Sequence, residues 1–453
     1  MKNYLAPVLM ASVLFCASAK ADTIFDALGE AYNSNPDLQA QRAYLRSVDE
    51  NVAIARSGYR PTVNLVGSYS HTNDNNDQNN TDRGNKVEYM GAEAKQPIFN
   101  GFSTVNSVKS ADSSVRAAQY ELYNYEQTVF MNASVAYLNV VRDIAILDLQ
   151  RSNEKLLKKQ LDETIERFNV GELTRTDVAQ AKSSHSQAIA SRISAEGNLQ
   201  VSKAVYQQVI GKQPQNLSEP ENIHTFLPAD FDKALSYTME NNYQILAAKQ
   251  ALNAKDYAVK ANYGALLPQL NATASVAKTK NDPRYHGLSD SEIDSVEWGL
   301  NLTVPLYDAG ENRAKIRQSK YSKWQAYEQV LGAERAAVSD VTSYWESMVA
   351  NDAKIKALQE QVNADAIALE GVKKEELLGN RTVLDVLNAY QSLLDSQVDV
   401  VKARREYYLS AMQVMQAMGR LTAENLKLNV EIYHPKDHYK ETRGKWLSLS
   451  AEK

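Results

Sequence analysis

From Asp294 the chain reads Asp294-Ser295-Val296-Glu297-Trp298-Gly299-Leu300-Asn301-Leu302-Thr303-Val304-Pro305. Val296, Trp298, Leu300, Leu302 and Val304 alternate with Glu297, Gly299, Asn301 and Thr303. A period of two sends successive side chains to opposite faces of an extended strand, so this stretch predicts one apolar face and one polar face. Upstream, Pro268 ends a helical stretch, and Leu270, Ala272, Ala274 and Val276 then alternate with Asn271, Thr273, Ser275 and Ala277. A weaker copy lies nearer the N-terminus: Val63, Leu65 and Tyr69 follow Pro61, and Met90, Ala92 and Ala94 precede Pro97. The expected strands cover about 62–72, 87–98, 269–279 and 294–305, with Pro61, Pro97, Pro268 and Pro305 at their boundaries. Very polar loops are expected between them, Thr72–Asn80 and about Lys280–Asp294. Alternating strands of ~9–11 residues with polar outer loops suit an outer-membrane barrel. A soluble hairpin with one face on a core shows the same alternation, so the strands alone leave both readings open.

Outward from the strands run long helical tracts. No proline interrupts Phe102 to Arg167 or Ala309 to Gly419. Apolar residues recur there at 3-4 spacing, as in Phe130, Ala133, Tyr137, Val140, Ile144 and Leu147, or Leu384, Leu387, Leu394, Val398 and Val401. This is coiled-coil patterning, and at 1.5 Å per residue a tract of ~65 residues is ~100 Å long, enough to cross a compartment. The tract after Gly171 instead carries small residues, Ala181, Ala188 and Ala195, on its repeating face. Such a helix packs laterally in an array. Apart from an N-terminal apolar run, no stretch approaches the ~20 apolar residues of a membrane helix.

The chain is internally duplicated. Ala27, Leu28, Asn35, Leu38, Ala40, Pro61 and Asn64 recur 207 residues later as Ala234, Leu235, Asn242, Ile245, Ala247, Pro268 and Asn271. Pro97, Phe99, Gly171, Thr174, Asp177, Val178 and Gly211 recur 208 residues later as Pro305, Tyr307, Gly379, Thr382, Asp385, Val386 and Gly419. Heptad composition matches Ala and Leu by chance, but not ordered Pro, Gly and Asp landmarks. Each half reads helix, two strands, helix, helix. The expected organisation is a leader over 1–21, a first structural repeat over 22–211, a linker over 212–229, a second repeat over 230–420 and a C-terminal equatorial segment over 421–453.

Lys2, the apolar run Tyr4–Phe15 and Ala19-Lys20-Ala21 form the expected signal peptide, with the mature chain starting at Asp22. Cys16, the sole cysteine, falls inside it behind Phe15, where acylation would want a small residue. The mature chain then has no thiol for a disulfide or metal site. The 43% hydrophobic and 23% charged composition is that of a folded chain. A net charge of −5 argues against nucleic acid as a partner. Four strands cannot close a barrel, and an open edge cannot sit in lipid, so several chains must combine.

Over its mature length the chain resembles the TolC-like outer-membrane channels. The resemblance rests on the duplicated halves, the hairpin inserts with their prolines, and two motif copies. One is Asn169-Val170-Gly171-Glu172-Leu173 with Thr176-Asp177-Val178; the other is Leu378-Gly379-Asn380-Arg381-Thr382 with Leu384-Asp385-Val386-Leu387. It implies an α+β membrane protein, a homotrimer whose 12-stranded β-barrel, four strands per chain, continues into a long α-helical barrel. It also implies an export conduit in the outer membrane, reaching into the periplasm of a Gram-negative bacterium and contacting outer-membrane lipid. A periplasmic adaptor (membrane fusion) protein and an inner-membrane ABC or proton-driven transporter would recruit it for type I secretion, multidrug efflux or both. No catalysis and no cofactor are implied.

The same resemblance assigns sites. Val170, Gly171, Glu172, Leu378, Gly379 and Asn380 form the adaptor-docking tips. Asp385 forms a threefold carboxylate ring at the entrance, and Arg381 bonds across the subunit boundary near Thr176 and Asp177 to keep it closed. Asn388 stands where many relatives carry a second aspartate, and Glu376 where some carry a tyrosine, so the inner latch is expected to be weakened or rebuilt. A plainer reading makes Asp177 and Asp385 acids that start helices. His434 and His438, separated by Pro435 and lacking a third ligand, read as surface histidines. The helix-poor segment Tyr433–Tyr439 with Arg443-Gly444-Lys445-Trp446 is expected around the middle of the helical barrel and resembles tails of type I secretion channels. A periplasmic scaffold would explain the heptads but not the hairpins; a passive porin would explain a barrel but not the helices.

Overall fold

The computed structural model describes residues 22–76, 81–220, 223–284 and 289–451. The expected leader over 1–21 and parts of both polar loops, 77–80 and 285–288, lie outside the described residues. Along the chain follow α1 (Ile24–Ser34), α2 (Pro36–Ser57), β1 (Thr62–Asn76), β2 (Thr81–Asn100), α3 (Ser103–Asn169) and α4 (Arg175–Ile210). The order then repeats as α5 (Phe231–Asn241), α6 (Tyr243–Tyr263), β3 (Gln269–Arg284), β4 (Ser291–Thr303), α7 (Glu311–Leu377) and α8 (Val383–Ala417), with α9 (Pro435–Thr442) last.

The helix expected before each hairpin is two helices, broken at an asparagine. Asn35 Oδ1 accepts from the Asp37 and Leu38 N–H groups while its Nδ2 donates to Val209 O at 3.1 Å. Asn242 does the same for Gln244 and Ile245, and its Nδ2 donates to Ala417 O at 2.9 Å. One side chain thus satisfies orphan donors at the start of one helix and an orphan carbonyl at the end of another. The effect is to stack α4 end to end on α2, and α8 on α6, alongside the 67-residue helices α3 and α7. At the second junction Gly419 has φ +71, and a Cβ there would lie 2.3 Å from Asn241 O, so only glycine fits.

The strands form one antiparallel sheet in the order β1-β2-β3-β4. Its register lines up apolar side chains on one face. Leu65, Ala92, Val276 and Val296 form one row, and Val63, Ala94, Ala274 and Trp298 the next. Asn64, Glu93, Ser275 and Glu297 form a row on the other face. Among the described residues nothing covers this face at its centre: Trp298 is 85% exposed.

The strands outrun their apolar bands. Thr72–Asn76 and Lys280–Arg284, expected as loops, belong to β1 and β3, and β4 begins at Ser291. Ladder hydrogen bonds are made by the backbone and need no apolar side chain, so pairing continues past the apolar band. Pro97 is no strand boundary but lies inside β2, where the β2–β3 register shifts between Pro97 and Phe99. β1 pairing has already ended at Lys95, so the missing proline N–H breaks no β1–β2 bond.

Two apolar clusters hold the helices. The larger joins α1, α3, α4 and α8 through Leu28, Tyr32, Phe130, Tyr137, Tyr206, Met412 and Met415. A smaller one near the α3–α4 and α7–α8 turns contains Leu157, Leu161, Ala181, Leu369, Val386 and Tyr390. Contrary to the sequence reading, α3 does hold an 18-residue window apolar enough for a membrane span. Half of that window is buried inside the structure, and α3 gives Val129, Phe130, Ala133 and Tyr137 to the larger cluster.

The C-terminal segment also departs from expectation. It contains α9, with Pro435 at the first helical turn, where a missing N–H costs nothing. His438 is no surface histidine: its Nδ1 lies 2.7 Å from Oδ2 of Asp49 on α2, a residue with 0% exposure. Tyr439 Oη donates to Asp112 of α3 at 2.7 Å, and the Tyr433 N–H donates to Tyr32 Oη at 2.9 Å.

Candidate functional site

The turns that join α3 to α4 and α7 to α8 are built alike. Gly171 has φ +86 and Gly379 φ +79, with open space around both. The Glu172 N–H reaches back to Arg167 O and the Asn380 N–H to Glu375 O, both at 2.9 Å. Glycine in the left-handed region followed by such a bond is the usual way to satisfy the last carbonyls of a helix. The neighbouring apolar residues are exposed among the described residues, Val170 by 73% and Leu378 by 77%. Glu172 and Asn380 are exposed as well.

Immediately after each turn a threonine caps the next helix. Thr174 Oγ1 accepts from the Asp177 N–H at 3.3 Å, and the Thr174 N–H donates to Asp177 Oδ2 at 2.9 Å. Thr382 and Asp385 repeat this at 3.2 and 3.0 Å. These reciprocal boxes satisfy orphan N–H groups at the helix starts. The helix-start role of both aspartates is therefore present in the chain. The Thr382 N–H and hydroxyl, and then the nearby Arg381 charge, hold the Asp385 carboxyl below its ordinary range. It stays charged at neutral pH and half-exposed, beside the exposed Asn388 on the same helix.

Arg381 is not brought to Thr176 or Asp177 within one chain. Its Nε donates to Glu375 Oε2 at 3.0 Å, with both side chains about half exposed. Thr176 is exposed. The sequence reading did not single out Arg167. Its Nη1 donates to Glu376 Oε1 at 2.6 Å and its Nε to Glu172 Oε2 at 3.1 Å. The Glu376 side chain is only 6% exposed. The one sequence signal was the acid at Glu376 in an otherwise family-like turn; its partner lies 209 residues away. Lys373 Nζ donates to Tyr390 Oη at 3.0 Å nearby.

A family model described as outer membrane efflux protein matches residues 27–212 and again 234–420. The outer membrane efflux protein BepC of Brucella suis biovar 1 (strain 1330) is 35% identical over 98% of this chain and 95% of its own. The outer membrane protein TolC of Escherichia coli (strain K12) is 25% identical over 93% of this chain and 87% of its own. In fold, the chain is similar to the Campylobacter jejuni CmeC outer membrane channel, with a TM-score of 0.77 at 17% identity, covering 93% of this chain and 89% of that one.

Proposed function

Because this chain belongs to the outer membrane efflux protein family, we propose that it assembles as a trimer into a passive export conduit through the outer membrane. The observation that carries this is the four-stranded sheet with one uncovered apolar face, two open edges and 67-residue helices leading away from it. Three copies supply twelve strands, within the range of closed membrane barrels, and closure removes the edges that lipid forbids. The apolar rows through Leu65 and Trp298 then meet lipid, and the row through Glu93 and Glu297 lines the passage. The protein supplies a path rather than chemistry, and the energy comes from an inner-membrane ABC or proton-driven transporter joined through a periplasmic adaptor. The cargo is protein, small toxic compounds or both.

The exposed turns around Gly171 and Gly379 are the docking tips. Val170 and Leu378 offer apolar contact there, and Glu172 and Asn380 offer polar contact. Asp385, held ionised, forms the entrance ring, which attracts cations and repels anions. Arg381 exchanges its Glu375 contact for Thr176 and Asp177 of the neighbouring copy in the closed trimer. A charge-assisted pair is directional yet separable, as a latch requires.

Single-channel conductance of the purified protein in a planar bilayer tests this reading. Small wild-type openings that grow in Arg381→Ala are expected. A large constitutive conductance indifferent to Arg381→Ala would remove the latch while keeping the pore. Well-folded protein that never inserts would favour a periplasmic scaffold.

A further inference from the structure

The C-terminal segment climbs α2 toward the sheet. His438 meets Asp49. Further on, Arg56 Nη1 donates to Arg443 O at 3.0 Å, and Arg60 Nη1 donates to Lys445 O at 3.4 Å. The Arg60 guanidinium also lies over the Trp446 ring, 5.5 Å from its centroid. Contacts with Asp49, Arg56 and Arg60, in that order, carry the segment from the middle of α2 to the foot of β1, which begins at Thr62. There the tail turns apolar and stays exposed among the described residues: Trp446 by 66%, Leu447 by 80% and Leu449 fully.

The foot of β1 is also where the apolar rows begin. Val63 lies three residues beyond Arg60. At ~3.3 Å per residue and a barrel tilt of ~40° this is ~7–8 Å along the barrel axis, on the scale of one lipid headgroup layer. Two tyrosines stand exposed at the same end of the sheet, Tyr59 before β1 and Tyr307 after β4. Rings with an apolar body and a polar edge favour the headgroup level. The tail is basic as well. Arg56, Arg60, Arg443 and Lys445 outnumber the acids Glu441 and Asp112, and Asp112 accepts from Arg443 at 3.4 Å. Cations beside exposed apolar side chains complement phosphates above acyl chains. A second copy offers Leu306 and Tyr307 at the foot of its β4, which would engage the apolar residues but not the cations.

We propose that residues 444–451 are an interfacial anchor. Trp446, Leu447 and Leu449 enter the phospholipid leaflet that faces the periplasm, beside the foot of β1, and Arg60, Arg443 and Lys445 hold lipid phosphates. The anchor rests on the reading of the sheet as part of a lipid-embedded barrel. It acts at the opposite end of the long helices from the entrance turns, and it sets the height of the helical body beneath the membrane.

Tryptophan fluorescence of the protein in vesicles of phosphatidylcholine and phosphatidylglycerol, with and without brominated acyl chains, tests it. Each variant is first checked for a heat-resistant trimer. The emission lost from wild type to Trp298→Phe reports the barrel face. The emission lost from Trp298→Phe to Trp298→Phe/Trp446→Phe reports the tail. Bromolipid is expected to quench most of both components. The tail component should be quenched several-fold less in phosphatidylcholine alone, or in mixed vesicles when Arg60→Gln and Lys445→Gln are added. A tail component that bromolipid leaves intact, with the Trp298 component quenched, would overturn the anchor and keep the channel reading. Acrylamide then shows whether that tail lies in water, where it is quenched, or beneath a second copy, where it is shielded. Equal tail quenching with and without phosphatidylglycerol would overturn the phosphate contacts. An unquenched Trp298 component would overturn the channel reading, and the anchor with it.

Discussion

His438 of α9 and Asp49 of α2 form a pair across the fold, Nδ1 to Oδ2 at 2.7 Å, with the carboxylate wholly out of solvent. The C-terminal segment is thereby tied to the helical body by a contact whose loss strands a buried acid.

His438→Ala is expected to lower stability by about 3 kcal/mol at neutral pH, the scale for breaking a buried pair. Burial raises the Asp49 carboxyl above its ordinary value of 3.8, and His438 opposes the rise. A raised carboxyl contributes fully below its unfolded value and loses that contribution as pH climbs through its folded one. Without His438 the loss becomes larger, so the variant's deficit grows with pH. Thermal melts in detergent at acidic and alkaline pH check this. Equal deficits at both would refute it, and Asp49→Asn with His438→Ala should recover most of the loss.

A second buried acid lies where the end of α8 meets α3. Glu126 accepts the Ala423 N–H at 2.7 Å, and burial pushes its carboxyl up to about 7 despite that bond. Its ordinary value is 4.5, so the folded state holds a proton that the unfolded state has released between these limits. Stability should therefore fall as pH rises through that window, by on the order of 3 kcal/mol in total, and level off above it. Glu126→Gln keeps an acceptor for Ala423 and removes the charge. It should melt higher than wild type at alkaline pH and match it at acidic pH; a variant that melts lower at alkaline pH would refute this.

Asp385→Asn separates the two roles of that residue. The amide oxygen can still accept from the Thr382 N–H, so the helix start is kept. The cation preference, read as a reversal potential across a salt gradient, should weaken. An unchanged potential would leave Asp385 as a cap alone. Thr382→Ala removes the cap instead, costs about 1 kcal/mol and should leave the ion preference close to wild type.

The two faces of β4 should respond oppositely to charge. Trp298→Arg places a cation on the lipid side and is expected to cost ~2–4 kcal/mol of barrel stability near the bilayer centre. Asn301→Arg, on the other face, should assemble normally and alter conductance. Equal assembly defects in the two variants would contradict the assigned faces.

Much of this was legible along the chain, because it depends on spacing. Alternation from Val296 to Val304 defines a two-faced strand, and long proline-free tracts define the helices. Asp177 and Asp385 mark helix starts, where an acid favours the N-terminal dipole. Each is a local rule set by backbone geometry. The strand ends were misplaced because ladder bonds ignore side-chain polarity, which hid the strand in Thr72–Asn76. Asn35-Pro36 marks a helix start locally, an asparagine cap with proline in the first turn; Asn242 has no proline after it, and what ties either asparagine to a second helix is a carbonyl about 175 residues away, at Val209 or Ala417.

Tertiary structure alone decided which charges meet. Arg167 reads as one more basic residue in a helix rich in them, and Glu376 as a misplaced acid, until the two hairpins set them 2.6 Å apart. His438 reads as a surface imidazole until α9 folds onto α2 over Asp49. A local pattern specifies a residue's face and its element. Its partner across hundreds of residues is selected by packing, because desolvation makes a buried charge costly everywhere except beside its opposite.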